Sequence, residues 1–354
     1  MKTEIIKLDP KYPEADKIAR CAKVIRQGGL VIFPTETVYG IAADYNNEKA
    51  MARLREVKKR PDDKLFSVHI SQKGLLSNYT PYHETKLFKL VDECWPGPLT
   101  VIVPTHEKGN TIGIRMPHNV IALYLVQESQ CTVAAPSANI SGDPAPSTCE
   151  EALKTLDGKV DIAIDGGEAK FGLASSVVDF TQDQPAVVRE GVVKQEEVDS
   201  ITNKKNILFV CTGNSCRSVM AEYYFKYLVQ ERDDVNVYSA GTSVFIRSSA
   251  SSETVTVLKR EDIDASMHRS QPLTSVLLKK SDLILVMTRN HRQQVIERVP
   301  EVEQRVYLLR EFGQDAVSMV SSLDIPDPMG KPAEAYEEGL FIIKGALNKL
   351  TNLI

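Results

Sequence analysis

The sequence predicts an α/β protein built from two tandem domains, and three observations carry that prediction. A chain of 354 residues exceeds the ~250–300 residues at which a single hydrophobic core usually stops growing. Apolar runs of strand length, such as Asn206-Ile-Leu-Phe-Val210 and the centre of Ser281-Asp-Leu-Ile-Leu-Val-Met-Thr288, are interspersed with helical periodicity over 15–26 and 334–347. Between the halves, Gln195-Glu-Glu-Val-Asp-Ser-Ile-Thr-Asn-Lys-Lys205 is polar and charged and stands directly before a buried-strand pattern. The boundary is placed there, giving domains over 1–200 and 205–354. The expectation is a twisted, mixed sheet with helices around a large cavity, followed by a small doubly wound parallel sheet with its functional loop at the carboxyl ends of the strands.

Charge excludes some functions. Up to residue 200 there are 24 Lys and Arg against 28 Asp and Glu, and beyond it 19 of each. Neither half has the basic excess of a general nucleic-acid surface. No run of about 18 apolar residues suggests a membrane span, and the charged start Met1-Lys-Thr-Glu-Ile-Ile-Lys lacks a signal-peptide core, so a cytoplasmic location is expected. The six cysteines are irregularly placed and form no disulfide framework.

The densest chemistry lies at 210–218, Val-Cys-Thr-Gly-Asn-Ser-Cys-Arg-Ser. A strand delivers Cys211 to a short loop of Thr212, Gly213, Asn214, Ser215 and Cys216, and the helical pattern from Met220 follows it. Backbone N–H groups at such a helix N-terminus favour an anion and a thiolate nucleophile. Arg217 can fork two charge-assisted hydrogen bonds onto a phosphoryl group, and Ser218 can donate to the departing thiolate. Two acids occur in the proline-stiffened Leu323-Asp-Ile-Pro-Asp-Pro-Met-Gly330, and one carboxyl can protonate the leaving group and then activate water. The site needs no metal or cofactor.

This stretch, with Tyr238-Ser-Ala-Gly241, 281–288 and Asp327-Pro328, resembles the low-molecular-weight protein tyrosine phosphatase family over about 205–354. The resemblance implies Asp327 as the general acid, with Asp324 supporting the loop, and a phosphorylated protein as substrate. In that family the residue before the second cysteine bears on substrate choice: bulky Ile in tyrosine-directed members, Thr in those that hydrolyse phosphoarginine. Here it is Ser215, and Met329 stands where tyrosine-directed relatives favour an aromatic wall. Phosphoarginine is therefore preferred over phosphotyrosine.

The first half carries a second constellation. Gly28-Gly-Leu-Val-Ile-Phe-Pro-Thr-Glu-Thr-Val-Tyr-Gly40 runs as a strand into a polar turn, followed by the cationic Lys58-Lys-Arg-Pro-Asp-Asp-Lys64 and a strand pattern ending at His69. Farther on stand Thr111-Ile-Gly-Ile-Arg-Met-Pro117, Ala135-Pro-Ser-Ala-Asn-Ile-Ser-Gly142 and Ser175-Ser-Val-Val-Asp179. Singly these are turns, a core histidine and an arginine paired with an acid; together they place cations and hydroxyls at strand ends, suiting a triphosphate and a small zwitterion. Their order resembles the threonylcarbamoyl-AMP synthase (YrdC-like) family over roughly 10–195.

That resemblance implies synthesis of threonylcarbamoyl-adenylate from L-threonine, bicarbonate and ATP, with Mg²⁺ arriving on ATP. The product would pass to tRNA-modifying proteins for N6-threonylcarbamoylation of adenosine 37. Thr35, His69, Arg115, Ser137 and Ser175 match threonine-holding positions; Arg60, Lys64, Thr111, Asn139, Ser147 and Arg189 match ATP-holding ones. Ala145 replaces a frequent hydroxyl. One alternative stays open, a phosphatase targeted or regulated by a non-catalytic nucleotide- or RNA-binding first domain.

Overall fold

The computed structural model describes residues 2–61, 65–313 and 322–354. It divides into two compact units, one of 1–82 with 90–201, the other of 83–89 with 202–354.

The first unit holds strands β1 (Glu4–Lys7), β2 (Val31–Phe33), β3 (Gly40–Asp44), β4 (Val68–His69), β5 (Leu99–Pro104), β6 (Thr111–Arg115), β7 (Val133–Ala134), β8 (Ile162–Asp165), β9 (Ser176–Asp179) and β10 (Ala186–Arg189). They join in one sheet in the order β1-β8-β2-β3-β7-β4-β6-β5-β9-β10. Pairing is mixed: β4 runs parallel to β6 but antiparallel to β7. Alternate residues of β2 feed opposite faces, as a period of two requires. Val31 and Phe33 join the core that includes Ile18, Cys21 and Ile25 of the helix Ala15–Arg26, while Ile32 joins a second core with Leu54 and Leu156. Burial on both faces explains the unbroken apolar stretch of β2.

The second unit is a parallel sheet of β11 (Lys205–Cys211), β12 (Val235–Gly241), β13 (Leu283–Val286) and β14 (Val306–Leu308), ordered β12-β11-β13-β14. Here too Ile207 and Phe209 face one core and Leu208 and Val210 the other, so helices cover both sides. Because β11 is central and ends at Cys211, its carboxyl end opens where the strand order changes direction, the usual ligand crevice of such sheets. Gly241 makes that end possible. A Cβ there would lie 2.5 Å from the Thr212 carbonyl oxygen.

The polar stretch at the expected boundary begins with the helix Gln195–Thr202, whose apolar Val198 is fully buried. Among the described residues no helix is long and apolar enough to cross a membrane.

Candidate functional site

Each unit contains one constellation. In the first, a cavity of about 440 Å³ is lined by Thr35, Arg60, His69, Thr111, Arg115, Ser137, Ser175 and Arg189 among others. Pairing of β4 with β6 sets His69 beside Arg115, and burial of the imidazole, reinforced by that guanidinium, holds its pKa well below the ordinary value. The ring is thus neutral, with Nδ1 buried and unpartnered among the described residues. Thr35 Oγ1 donates to the Val38 carbonyl at 2.7 Å and accepts from the Val38 amide, a closed turn that fixes the hydroxyl. Arg189 reaches back to Ser175, its Nη2 donating to that hydroxyl at 3.0 Å, and Ser175 Oγ lies 2.9 Å from Thr100 Oγ1.

Arg115 is already engaged. It is 5% exposed and its Nη2 donates to Glu36 Oε1 at 2.7 Å, a buried ion pair whose second carboxylate oxygen has no partner among the described residues. The pairing with an acid that the sequence left open is therefore present, on a side chain that also lines the cavity. Asn139 and Ser147 are not among the lining residues. Asn139 Oδ1 accepts from Ser137 Oγ at 2.6 Å, which ties it to the cavity at one remove, whereas the Ser147 amide binds Glu151. Lys64 lies outside the described residues.

Sequence reasoning missed Lys58. It is 2% exposed, its Nζ donates to the carbonyls of Ser137 and Asn139, and burial pushes its pKa down to about 8. The sequence shows it only as one member of the cationic stretch Lys58-Lys-Arg60. The signal available was its place on the apolar side of the helix Glu48–Lys58, in step with buried Leu54 and Ala50.

In the second unit Cys211 Sγ lies 2.9 Å from Ser218 Oγ. Asn214, in the left-handed region at φ 52°, donates from Nδ2 to Ser218 at 3.0 Å and to Ser239 at 2.6 Å, and its Oδ1 accepts from the Gln271 amide. Behind it Ser239 donates to buried Glu222. These bonds hold the loop in shape without using the amides of Gly213, Asn214 and Ser215, which donate to no protein acceptor among the described residues. Loop amides left without an acceptor before a helix N-terminus suit an anion. Arg217, 5% exposed, donates from Nη1 to the Ile325 carbonyl at 3.1 Å and from Nη2 to Asp327 Oδ2 at 2.6 Å. Asp324 instead accepts from the Arg289 amide. Cys216 is buried, with its sulfur 3.5 Å from Ser251 Oγ and 3.8 Å from the Tyr336 hydroxyl, while Ser215 is half-buried beside it.

His291 was not legible in the motif. Its ring bridges Thr212 Oγ1 and Thr288 Oγ1, each at 2.8 Å, and burial and Arg217 push its pKa down to about 4 against the pull of Asp327 and Asp324.

Comparison with known proteins matches residues 23–191 to the Sua5/YciO/YrdC family model, described as telomere recombination, and 206–354 to the model of low molecular weight phosphotyrosine protein phosphatase. The YciO protein of Escherichia coli is 30% identical over 195 residues, covering 52% of this chain and 94% of that protein. The chain belongs to the Sua5/YciO/YrdC family in its first part, and its second part matches the low-molecular-weight phosphatase model. Threonylcarbamoyl-AMP synthase of Pyrococcus abyssi is 38% identical over 216 residues, 58% of this chain and 63% of that protein. This chain thus spans less than two thirds of that synthase. A solved structure of P. abyssi Sua5 complexed with L-threonine superposes with a TM-score of 0.54 at 25% identity, covering 86% of this chain and 99% of that one.

Proposed function

We propose that the chain is a bifunctional enzyme whose domains, 1–200 and 205–354, work at separate sites. The first makes L-threonylcarbamoyl-adenylate and pyrophosphate from L-threonine, bicarbonate and ATP; the second is a cysteine-dependent protein phosphatase. For the synthase the supporting observation is the shared cavity, where arginines and hydroxyls converge on one space with a neutral imidazole. Thr35, His69, Arg115, Ser137 and Ser175 take the threonine end: Arg115 the carboxylate, His69 and the hydroxyls its polar groups. Arg60, Lys64, Thr111, Asn139, Ser147 and Arg189 take ATP, where cations offset charge on the phosphates as the carbamate oxygen attacks and pyrophosphate leaves. The described cavity lining contains no carboxylate. It suits an anion and not a protein-held cation, so Mg²⁺ enters with ATP as part of the substrate. The adenylate would be consumed by proteins that modify adenosine 37 of tRNA, in the cytoplasm.

For the phosphatase the supporting observation is the Cys211–Ser218 contact beside the Arg217–Asp327 pair. Cys211 attacks phosphorus, Arg217 and the loop amides take the equatorial oxygens, Asp327 protonates the leaving group, and Ser218 stabilises the thiolate when water cleaves the phosphocysteine. Asp327→Asn is expected to slow hydrolysis of substrates with poor leaving groups by about 10²–10⁴-fold and activated aryl phosphates much less. A leaving-group series checks this, and equal losses across it would count against the acid role.

Phosphoarginine is the proposed substrate class, because Ser215 leaves room and a hydroxyl for a guanidinium where a larger apolar residue would wall a phenyl ring. Ser215→Ile should move the ratio of kcat/KM values toward phosphotyrosine. An unmoved ratio would remove Ser215 from substrate choice. The synthase is tested by incubating purified protein with ATP, bicarbonate and each amino acid in turn; adenylate and pyrophosphate should form with threonine, and their absence would leave the first domain as a binding module.

A further inference from the structure

Thr212 follows the proposed nucleophile directly and is exposed, whereas His291 beside it is 3% exposed. The Thr212 carbonyl is fixed from one side by the Ser243 amide at 3.0 Å, and its hydroxyl from the other by His291 Nε2 at 2.8 Å. A neutral imidazole has one donor and one acceptor nitrogen, so the two threonines at its ends cannot be treated alike. Thr288 Oγ1 caps the helix Arg289–Arg298 by accepting the His291 amide at 3.3 Å and stands 2.8 Å from Nδ1. When Thr288 gives its own proton to Nδ1, the ring proton sits on Nε2 and donates to Thr212 Oγ1, which leaves the Thr212 proton for a third partner.

We infer that His291 is a positioning residue which, acting through Thr212, aims a hydroxyl donor at a phosphoryl oxygen held over Cys211. The inference rests on the phosphatase reading and adds to it a side-chain donor alongside the loop amides. Thr212 would touch the substrate; His291 would act only by fixing the rotamer and proton direction of Thr212.

A double-mutant cycle tests it on the full chain, reading kcat and KM for an aryl phosphate, the inhibition constant of inorganic phosphate, and melting temperature. Thr212→Val and His291→Leu should each weaken phosphate inhibition and raise KM by about 10-fold or more, the scale of one hydrogen bond to a charged group. The double variant should be no worse than Thr212→Val alone, because both remove the same donor. Thr212→Ser keeps the hydroxyl, and His291→Gln keeps an N–H near the position of Nε2; both should retain near-original phosphate inhibition. Multiplying losses in the double variant, or a Gln variant as impaired as Leu in a folded protein, would overturn the inference. Should His291→Leu not fold, the Val and Ser variants at 212 together with His291→Gln decide it. Wild-type protein without Cys211-dependent turnover would sink the phosphatase reading and this inference with it, whereas independent effects in active protein sink the inference alone.

Discussion

Cys211→Ser is expected to lower hydrolysis of aryl phosphates by roughly 10³-fold or more, the scale of losing a nucleophile, while adenylate formation continues near its original rate. The thiol sits at the carboxyl end of central β11 and is 3% exposed, so the sulfur-to-oxygen exchange leaves the surrounding network of Ser218, Asn214 and Ser239 in place. What changes is the chemistry. A serine hydroxyl is far harder to ionise than a thiol, and this loop offers Cys211 a hydroxyl neighbour instead of a base that could activate serine. Steady-state rates of both reactions on one preparation check the prediction. Substantial residual hydrolysis would remove Cys211 as nucleophile.

Arg115→Ala is expected to raise the threonine concentration needed for adenylate formation by roughly 10- to 150-fold, because a carboxylate loses a charge-assisted partner worth ~1.5–3 kcal/mol. The requirement for ATP should change much less. The structure adds a complication with a sign. Arg115 also neutralises Glu36, and removing one member of a buried ion pair leaves an uncompensated charge that typically costs ~3–5 kcal/mol of stability. A fall in melting temperature should therefore accompany the kinetic effect. Pairing Arg115→Ala with Glu36→Gln should recover most of the stability and none of the threonine binding. Threonine and ATP titrations with thermal melts separate the two effects; equal losses for both substrates would move Arg115 from the threonine end of the cavity.

What the sequence disclosed follows from how local each feature is. The loop from Cys211 to Ser218 is contiguous, its strand and helix adjoin it, and its residue types admit few other uses, so its placement at the end of β11 was legible. The helix Ala15–Arg26 was legible from periodicity alone. By contrast, Glu36 meets Arg115 across 79 positions and His291 meets Thr212 across another 79, and no spacing rule announces such pairings. Lys58 hid in a cationic run because charge suggests solvent until the helix face is considered. The helix Gln195–Thr202 was not legible for a related reason: composition marked the boundary segment as polar, while one buried apolar residue, Val198, suffices to seat a short helix.

The central claim is two independent chemistries on one chain, and a crossed assay tests it most directly. Wild-type, Cys211→Ser and the Arg115→Ala/Glu36→Gln variant are each given labelled bicarbonate, threonine and ATP in one reaction and an aryl phosphate in another. The account predicts that wild-type protein forms labelled adenylate and hydrolyses the phosphate ester. It also predicts that Cys211→Ser loses only hydrolysis, and that the Arg115 variant loses only adenylate formation at limiting threonine. A wild-type protein that forms no adenylate, or hydrolysis that survives loss of Cys211, would contradict it.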